Sequence, residues 1–472
     1  MPLSDVAPAA LYRHFRSARG FILESLEGSG KTARYSCICT EPRLTVAIGA
    51  GGEVTLEGDT RCLAPRGEAG AADPVEALRD IMRRISIVPP DIPRFAGGMA
   101  GYVAYDTVYA ICPSVRPAVP GDPGMPVARF MLAADCIVID HRERTLTVVR
   151  GVDTAGVQDL RGAYEQGRAA IFALAERIRA LPPEDTGSPA GKGCPDPACT
   201  SSLSRTEFCE GVLRLKEHIL AGDIFQAVLS RRIACPFAGD PFAIYRALRR
   251  RNPSPYMYFL EFPDLAVAGS SPEMLVRVEN GRVMTVPIAG TRPRGSGPAE
   301  DARLEQELLA DAKERAEHVM LVDLARNDIG AVSRYGSVTV DAFMEIEKFS
   351  HVQHIVSAVS GELSERKDCF DVLASCFPAG TVSGAPKIRA MQLIEHVEGR
   401  RRGLYAGAIG HIGFAGSLDL AIAIRTVEVR ESVASFQVGA GIVAGSDPES
   451  EWIETEDKGH AMRQAIGEAV QA

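Results

Sequence analysis

A chain of 472 residues, 46% of them hydrophobic and 24% charged, is long enough for two or three globular domains. Its formal net charge of −9 argues against a protein that follows nucleic-acid phosphates. No apolar run approaches the roughly 18–20 residues that span a bilayer, and the first residues lack the basic and then apolar pattern of a secretion signal. We therefore expect a cytoplasmic protein that binds neither membranes nor nucleic acids.

The 11 cysteines are odd in number and follow no regular framework, which indicates reduced thiols. Cys194 and Cys199 have a spacing that could supply half of a zinc site. No second Cys or His pair follows at ligand spacing, so the pattern favours unbound thiols over zinc.

Residues 1–182 contain alternating apolar stretches that predict strands, such as 44–48 and 136–149. Periodic apolar residues predict helices over 74–85 and 159–181.

Residues 183–203 are rich in proline and glycine and have little to bury, which predicts a linker or exposed loop. We expect this segment to separate an N-terminal domain, residues 1–182, from a second domain, residues 204–472.

The second region begins with Ser204, followed three residues later by Glu207, which is the pattern of a helix capping box. The predicted helices are 205–221, 241–251, 302–325, 369–376, 385–397 and 456–470. The predicted strands are 224–234, 256–262, 265–269, 273–279, 282–288, 337–340, 350–360, 404–413, 419–429 and 433–440. Consecutive strands, without strict strand–helix alternation, favour an α+β fold with large antiparallel sheets.

The segment 377–391 combines two glycines and two prolines with Thr381 and Ser383, directly before a helical pattern. Glycine allows close backbone approach, and a helix start offers unpaired N–H groups to an anion. Lys387 and Arg389 add positive charge. The segment therefore predicts an anion-binding loop, although a simple turn that caps a helix would have the same composition.

Residues 28–32, Gly-Ser-Gly-Lys-Thr, resemble part of a phosphate-binding loop. The full pattern requires a glycine at position 25, which is a serine, so a polar hairpin turn is the better interpretation.

Two acidic segments could meet at a cation. Glu314 and Glu317 lie one helical turn apart, and residues 447–458 supply further carboxylates. Most such charges belong to solvated faces. If one carboxylate from each segment converged in a cleft, their repulsion would require a cation, and carboxylates with open positions for water suit Mg²⁺.

Six segments of the second region together resemble the chorismate-utilising enzymes: 222–230, 269–274, 287–295, 317–328, 377–391 and 439–458. Residues 21–25 and 34–36 resemble the matching N-terminal region of the anthranilate-forming members. The resemblance covers about residues 204–460, over half of the chain. It implies an α/β sandwich in which two interleaved subdomains build large antiparallel sheets around a central cleft.

Two positions distinguish the branches of this family. Members that add water to chorismate carry a lysine where this chain has Gln226, and a neutral glutamine cannot deprotonate water. Aminodeoxychorismate synthases usually carry a nucleophilic lysine where this chain has Ala289. The resemblance thus implies an anthranilate synthase that joins ammonia to chorismate and releases anthranilate and pyruvate. Aminodeoxychorismate synthase component I and a non-catalytic ligand-binding relative are the alternatives.

The same resemblance implies a Mg²⁺ ion held by Glu317 and Glu454, which binds the ring carboxylate of chorismate. Backbone N–H groups of Gly439, Ala440 and Gly441, with Lys458 nearby, would complete the site of that carboxylate.

Arg425 and Tyr405 would bind the enolpyruvyl carboxylate, because a guanidinium can bond both oxygens at once. Glu273 matches the general acid that protonates the departing hydroxyl, which requires a raised pKa. His354 and Thr381 match positions near the reacting ring, and the less favoured alternative for His354 is a core histidine.

No cysteine lies in the Gly-x-Cys-x-Gly setting of a glutaminase nucleophile. We therefore expect free ammonia as the nucleophile, and glutamine use only with a separate amidotransferase subunit, hence a hetero-oligomer. The family resemblance also implies inhibition by tryptophan at a separate site, although a capped turn packed on a strand would share the pattern. The matching residues are Leu23, Glu24, Ser25, Asn252, Pro255, Tyr256 and Met257.

Overall fold

The computed structural model of the protein describes residues 7–26, 34–64, 73–85, 95, 97–122, 124–154, 156–182, 197–349 and 352–470. The helices are α1 Pro8–Phe15, α2 Pro74–Arg84, α3 Val108–Ile111, α4 Leu160–Arg179, α5 Arg205–Leu220, α6 Pro241–Arg251, α7 Pro298–Ala310, α8 Ala312–Gly330, α9 Cys369–Cys376, α10 Lys387–Glu398 and α11 Pro448–Val470.

The strands of the N-terminal part are β1 Gly20–Glu24, β2 Tyr35–Cys39, β3 Leu44–Ile48, β4 Val54–Gly58, β5 Gly98–Val103, β6 Ala128–Ala133, β7 Asp135–Asp140 and β8 Thr145–Arg150. The later strands are β9 Thr200–Ser201, β10 Gln226–Pro236, β11 Tyr256–Glu261, β12 Ala266–Ser271, β13 Met274–Glu279, β14 Arg282–Thr285, β15 Ile288–Pro293, β16 Thr339–Lys348, β17 Val352–Glu362, β18 Gly384–Ala385, β19 Ala408–Gly413, β20 Leu418–Ile422, β21 Thr426–Arg430 and β22 Val433–Ile442.

These strands form two sheets of 11 strands each. The first has the order β18-β10-β22-β21-β12-β11-β1-β2-β7-β8, with β9 added to β10. The second has the order β15-β17-β14-β13-β20-β19-β5-β6-β3-β4, with β16 added to β17. All pairs of these strands are antiparallel, which confirms the predicted α+β class with large antiparallel sheets.

Both sheets combine strands from residues 1–182 with strands from residues 204–472. The boundary between the two expected domains stays a prediction.

The core has three main layers of apolar side chains. One cluster joins the facing surfaces of the two sheets, with Phe21 and Tyr258 from the first and Tyr102 and Met131 from the second. Three further clusters lie on the outer faces. The first sheet is covered by α1, α6 and α11 and, in a separate cluster, by α5 and α10, and the second sheet is covered by α2, α8 and α9. Because each sheet is apolar on both faces, the layers follow the order helix, sheet, sheet, helix.

Side-chain caps set where several helices begin. The predicted capping box of Ser204 and Glu207 is present at the start of α5. The predicted helix 302–325 is two helices, because Asp311 ends α7 and caps α8 by accepting bonds from the N–H groups of Lys313 and Glu314.

The predicted strand 419–429 is also two strands, and they belong to different sheets. β20 lies in the second sheet and β21 in the first, so the chain crosses between the sheets at residues 423–425. Arg425 has a φ of 49° at this crossing, in the left-handed region that ends a regular strand.

The 377–391 loop follows α9 and leads through β18 into α10, so its predicted position before a helix is confirmed. β18 pairs with the start of β10, where Ala385 is opposite Gln226. The loop is thereby attached to the edge of the first sheet.

The expectation of reduced thiols is wrong for one pair, since Cys199 and Cys235 form a disulfide. The physical reason is the pairing of β9 with β10, which places Thr200 opposite Ala234 and so brings the two cysteines together. Cys199 is therefore unavailable for the zinc site considered with Cys194, which lies outside the described residues.

Residues 197–203, at the end of the segment predicted as a linker, are attached to the first sheet through β9. The 28–32 turn lies outside the part of the chain that the structure describes. Among the described helices, none has the length and apolar character needed to cross a bilayer.

Candidate active site

A cavity of about 210 Å³ lies where the chain crosses between the two sheets. It brings together seven of the residues that the sequence predicted for substrate binding and catalysis. These are Glu273, Thr381, Tyr405, Arg425, Gly439, Gly441 and Lys458. The remaining predicted active-site residues, discussed below, do not line this cavity.

Glu273 lies between β12 of the first sheet and β13 of the second. Burial raises the pKa of its carboxyl to about 8, although the Thr381 hydroxyl, the Ile288 N–H group, Lys458 and Arg425 act in the opposite direction. Desolvation outweighs these contacts because the ionised form loses its water. The carboxyl is therefore mostly protonated at neutral pH and can donate a proton.

The Thr381 hydroxyl is close enough to stabilise the ionised form of Glu273. Its buried Oγ1 nevertheless makes no hydrogen bond of normal geometry to any described residue. A buried hydroxyl without such a bond is costly, which favours a role for Thr381 in contacting a ligand.

Arg425 projects into the cavity from the crossing between β20 and β21. Burial lowers the pKa of its guanidinium, and Glu273 acts in the opposite direction. Within the described ranges, no carboxylate forms an ion pair with Arg425. A buried guanidinium without a partner is suited to an anionic ligand, and Tyr405 lines the same cavity.

The edge of β22 supplies backbone groups to the cavity. Its pairing with β21 ends at Phe436, whereas its pairing with β10 continues to Ile442. On β10, Ser230 lies opposite Gly439 and Val228 lies opposite Gly441. The Ser230 N–H donates to the Glu398 carboxylate and the Val228 N–H donates to the Ser383 carbonyl oxygen, so neither bonds to β22. Gly439 and Gly441 therefore direct their backbone groups away from β10 and toward the open edge.

Lys458 confirms this direction, because its Nζ donates to the Gly439 carbonyl oxygen at 3.0 Å. Ala440 points to the other face, into the apolar cluster beneath α5 and α10. Its side chain therefore contributes packing, and it lies outside the cavity.

Gln226 lies beside the cavity, next to Gly441. A Cβ atom added to Gly441 would lie 2.7 Å from Gln226 Nε2, so the glycine leaves space for the Gln226 amide. The buried Gln226 Oε1 has no hydrogen-bond partner in the described structure. Ala289 lies in β15 opposite Ile355, one residue from Ile288, which lines the cavity.

His354 lies in β17 and does not line the cavity. Its Nδ1 is 2.9 Å from the Gly290 carbonyl oxygen, which can only accept, so Nδ1 carries the proton. Burial lowers the pKa of the imidazole, the hydrogen bond to the Gly290 carbonyl acts in the opposite direction, and Arg425 lowers the pKa further. At neutral pH the ring is therefore uncharged, with a basic Nε2.

Carboxylates of α8 and α11 approach each other at the expected metal site. Burial raises the pKa of Glu317, and Glu314, Glu451 and Glu454 raise it further by repulsion. The pKa of the buried Glu451 is also raised, first by burial and then by Glu454. Mutual repulsion of this kind fits a site for a divalent cation.

These carboxylates are not gathered as a ready-made ligand set. No three described His, Cys, Asp or Glu side chains are grouped closely enough to hold a metal ion. Glu454 instead pairs with Lys458, with Oε1 and Nζ 2.6 Å apart. The sequence prediction omitted Glu451, although it lies one turn before Glu454 in α11 and could have been inferred from that spacing.

A second cavity, of about 80 Å³, lies between β1, β11 and β19. It is lined by Leu23, Glu24, Ser25, Pro255, Tyr256 and Met257, six of the seven residues predicted for tryptophan. The seventh, Asn252, instead donates from Nδ2 to the Ser270 hydroxyl at 2.6 Å.

The Glu24 carboxylate is already bonded to Tyr245 and Arg249. It is therefore not a free partner for an amino group.

A larger cavity, of about 720 Å³, lies elsewhere and is lined by many charged side chains. Its cations are paired with its own carboxylates, such as Arg129 with Asp264 and Arg430 with Asp122. No cluster of unpaired cations is left among these described residues to select an anionic substrate, so size alone does not make it the active site.

The model of the chorismate binding enzyme family matches residues 26–464. Anthranilate synthase component 1 of Acetivibrio thermocellus is 45% identical over 98% of this chain and 93% of its own length. The protein of the same name from Aquifex aeolicus is 45% identical over 94% of this chain and 88% of its own length.

Solved structures agree with these similarities. The crystal structure of anthranilate synthase component I from Streptococcus pneumoniae TIGR4 superimposes with a TM-score of 0.78 at 35% identity, covering 98% of both chains. The menaquinone-specific isochorismate synthase from Escherichia coli has a TM-score of 0.66 at 20% identity, covering 97% of this chain and 98% of its own, and shares the fold. The chain therefore belongs to the chorismate binding enzyme family, within the group of anthranilate synthase component 1 proteins.

Proposed function

We propose that the protein is the chorismate-binding, aminating subunit of an anthranilate synthase, which converts chorismate and ammonia to anthranilate and pyruvate. The observation that carries this proposal is that one cavity holds both Glu273, protonated at neutral pH, and Arg425, which has no carboxylate partner among the described residues. A proton donor beside an anion-binding group is what a dianionic substrate with a poor leaving group requires.

Substrate orientation comes from two sides of the cavity. Arg425 and Tyr405 bind the enolpyruvyl carboxylate. The backbone of Gly439 and Gly441, with Lys458, receives the ring carboxylate. Held by Glu317 and Glu454, with Glu451 beside them, Mg²⁺ would supply positive charge for that carboxylate.

The first chemical step replaces a hydroxyl with an amino group. Glu273 donates its proton to the C4 hydroxyl, the C4–O bond breaks, and water leaves. Ammonia forms a bond to C2 as the ring double bonds shift, and the resulting ammonium group loses a proton. Gln226 is consistent with this nucleophile, because ammonia needs no base comparable to the lysine of the water-using members.

The second step forms the aromatic ring. The C2 proton is removed, the C3–O bond breaks, and the enolpyruvyl group leaves and takes up a proton to become pyruvate. His354 is the candidate base, since its Nδ1 is held protonated by the Gly290 carbonyl and Nε2 is therefore basic. Ala289 carries no nucleophile, which is consistent with direct release of anthranilate.

The relatives named component 1 imply a second component. We propose that a separate glutamine amidotransferase subunit supplies the ammonia, and that the two form a cytoplasmic hetero-oligomer. Tryptophan would inhibit the enzyme from the 80 Å³ cavity, where Leu23, Tyr256 and Met257 offer an apolar surface for an indole.

The test is an assay with purified protein, chorismate, Mg²⁺ and an ammonium salt, followed by anthranilate fluorescence and pyruvate release. Equal amounts of the two products support the proposal. An aminated product that keeps its enolpyruvyl group would instead identify an aminodeoxychorismate synthase. Chorismate binding without any turnover would identify a non-catalytic relative.

A further inference from the structure

One buried side chain, Arg402, connects three segments that line the candidate active site. It lies between α10 and β19, and its side chain is 0% exposed. The proposed mechanism assigns it no role, and the sequence motifs did not single it out.

Hydrogen bonds from Arg402 fix two separate main-chain segments. Its Nη1 donates to the Val382 carbonyl oxygen at 2.7 Å, and its Nη2 donates to the Val228 carbonyl oxygen at 2.7 Å. Val382 follows Thr381 in the 377–391 loop, and Val228 lies on β10 opposite Gly441. Both Val382 and Val228 line the cavity, so one guanidinium holds two of its walls at a set separation.

The remaining donors of Arg402 bind Glu398, which extends the network to a third wall. Nε donates to Glu398 Oε2 at 3.0 Å, and Nη2 donates to Oε1 at 2.6 Å. Glu398 Oε1 also accepts from the Ser230 hydroxyl at 2.7 Å and from the Ser230 N–H at 2.8 Å. Ser230 Oγ in turn accepts from Gln437 Nε2 at 2.7 Å, and Gln437 lines the cavity.

Arg402 also lies beside Tyr405, with 5.6 Å between the guanidinium carbon and the ring centre. The Tyr405 hydroxyl is close to Gly439, where an added Cβ would lie 2.7 Å from it. The position of the Tyr405 ring is thus set by Arg402 on one side and by the edge of β22 on the other.

A role in stability alone does not account for this arrangement. Well-packed apolar side chains usually replace a buried ion pair without loss of stability. Here the planar fork of an arginine donates four hydrogen bonds, to two carbonyl groups and one carboxylate that belong to different segments. A lysine cannot reproduce that geometry.

Resting on the proposed function, we propose that Glu398 and Arg402 form a positioning unit for the reaction with chorismate. The unit sets the distance from Thr381 and Tyr405 to the edge of β22. It thereby sets how chorismate fits between the Glu273 carboxyl group and the protein groups that bind the two carboxylates of chorismate.

The test compares Arg402→Lys and Ser230→Ala with two matched controls. Arg16→Lys changes an arginine that directly follows α1 and pairs with Glu261 and Asp240, and Ser435→Ala removes a buried hydroxyl bonded to Arg232. We expect Arg402→Lys to lower kcat/KM for chorismate by about a hundredfold, as misplaced substrate contacts do. Ser230→Ala should lower it about tenfold, the equivalent of one buried hydrogen bond.

Thermal unfolding is measured for all four variants. If Arg402→Lys and Ser230→Ala lower the Tm but keep kcat/KM within about twofold of their controls, the unit is structural and the inference is overturned. If Arg402→Lys does not fold, the result for Ser230→Ala decides. Calorimetric measurement of chorismate binding in the presence of Mg²⁺ distinguishes the two proposals. If the parent protein binds chorismate without forming anthranilate, the proposed function is refuted. In that case the inference requires that Ser230→Ala weaken chorismate binding.

Discussion

At the scale of a single residue, burial and the neighbouring polar groups shift the pKa of the Glu273 carboxyl in opposite directions. Burial raises the pKa of its carboxyl to about 8, against the Thr381 hydroxyl, the Ile288 N–H group and two cations. The group therefore remains a proton donor at neutral pH while it is surrounded by contacts that stabilise the carboxylate left after transfer. This is the pattern expected of a general acid.

Replacement of Glu273 by glutamine should lower kcat by about 10²–10⁴-fold, the usual contribution of a positioned acid, while chorismate binding changes little. In the parent enzyme, kcat should fall as the pH rises through about 8, because the carboxyl loses the proton that it must donate. The measurement is kcat against pH at a constant concentration of free ammonia. An unchanged kcat in Glu273→Gln would remove Glu273 from the mechanism.

The same carboxyl makes stability depend on pH. Its pKa is about 8 in the folded protein and close to 4.5 when exposed, so the folded state binds the proton more tightly. Stability from this group is complete below pH 4.5 and is lost as the pH rises toward 8. The Tm of Glu273→Gln relative to the parent should therefore rise over this window. A constant difference in Tm between pH 5 and pH 9 would contradict the raised pKa.

At the scale of elements, the end of β22 that contains two glycines provides the edge proposed to bind the substrate. Its two inward glycines, Gly439 and Gly441, have no room for a side chain. A Cβ on Gly441 would lie 2.7 Å from Gln226 Nε2. This strand end therefore combines a free main-chain edge with close approach, which only glycine allows.

Gly441→Ala should raise the KM for chorismate by about tenfold, because the displaced Gln226 amide enters the substrate space. The matched control is Gly445→Ala, where an added Cβ meets nothing within 4 Å. Steady-state kinetics of both variants checks this, with thermal unfolding to show that both fold. Equal KM values for the two variants would contradict a close fit at β22.

The facing ends of α8 and α11 form the proposed metal site. Glu451→Gln should raise the Mg²⁺ concentration for half-maximal activity by about 10–100-fold, as loss of a supporting carboxylate does at other metal sites. Glu449→Gln on the same helix removes an exposed carboxylate that pairs with Arg205, and should leave the Mg²⁺ requirement unchanged. Chelation of the metal should abolish turnover in the parent. Activity that persists in chelator would exclude the metal.

Local patterns in the sequence predicted much of this arrangement, because strand alternation, helix caps and glycine-rich loops depend on near neighbours. The positions of Glu273, Arg425 and Gly439 in one cavity came from the family resemblance. What could not be predicted depends on distant segments. Ser230 meets Glu398 across 168 residues, and nothing local identifies either as a partner of the other. The strand containing Arg425 was predicted as continuous because its apolar pattern does not mark a change of sheet.

At the scale of the whole molecule, the disulfide between Cys199 and Cys235 attaches the end of the 183–203 segment to the first sheet. Cys199→Ser should lower the free energy of unfolding by about 2–4 kcal/mol, the usual contribution of such a cross-link. A reducing agent should destabilise the parent equally but leave Cys199→Ser unchanged. Cys209→Ser, at a free thiol, is the control. Denaturant unfolding with and without dithiothreitol tests this, and no response in the parent would show that the bond does not form.

Two of the places where the chain passes between the sheets are neighbours, one at Glu273 and one at Arg425. The proton donor and the anion-binding group are thus each attached to both sheets, so a shear of one sheet against the other would act on both groups. The 80 Å³ cavity is bounded by strands of both sheets, β1 and β11 of one and β19 of the other. A ligand bound in this cavity would contact both sheets and restrict their movement against each other. It would thereby slow the chemistry without contacting the substrate. We expect such a ligand to lower kcat more than it weakens chorismate binding, and the reverse result from kinetics and calorimetry would exclude this coupling.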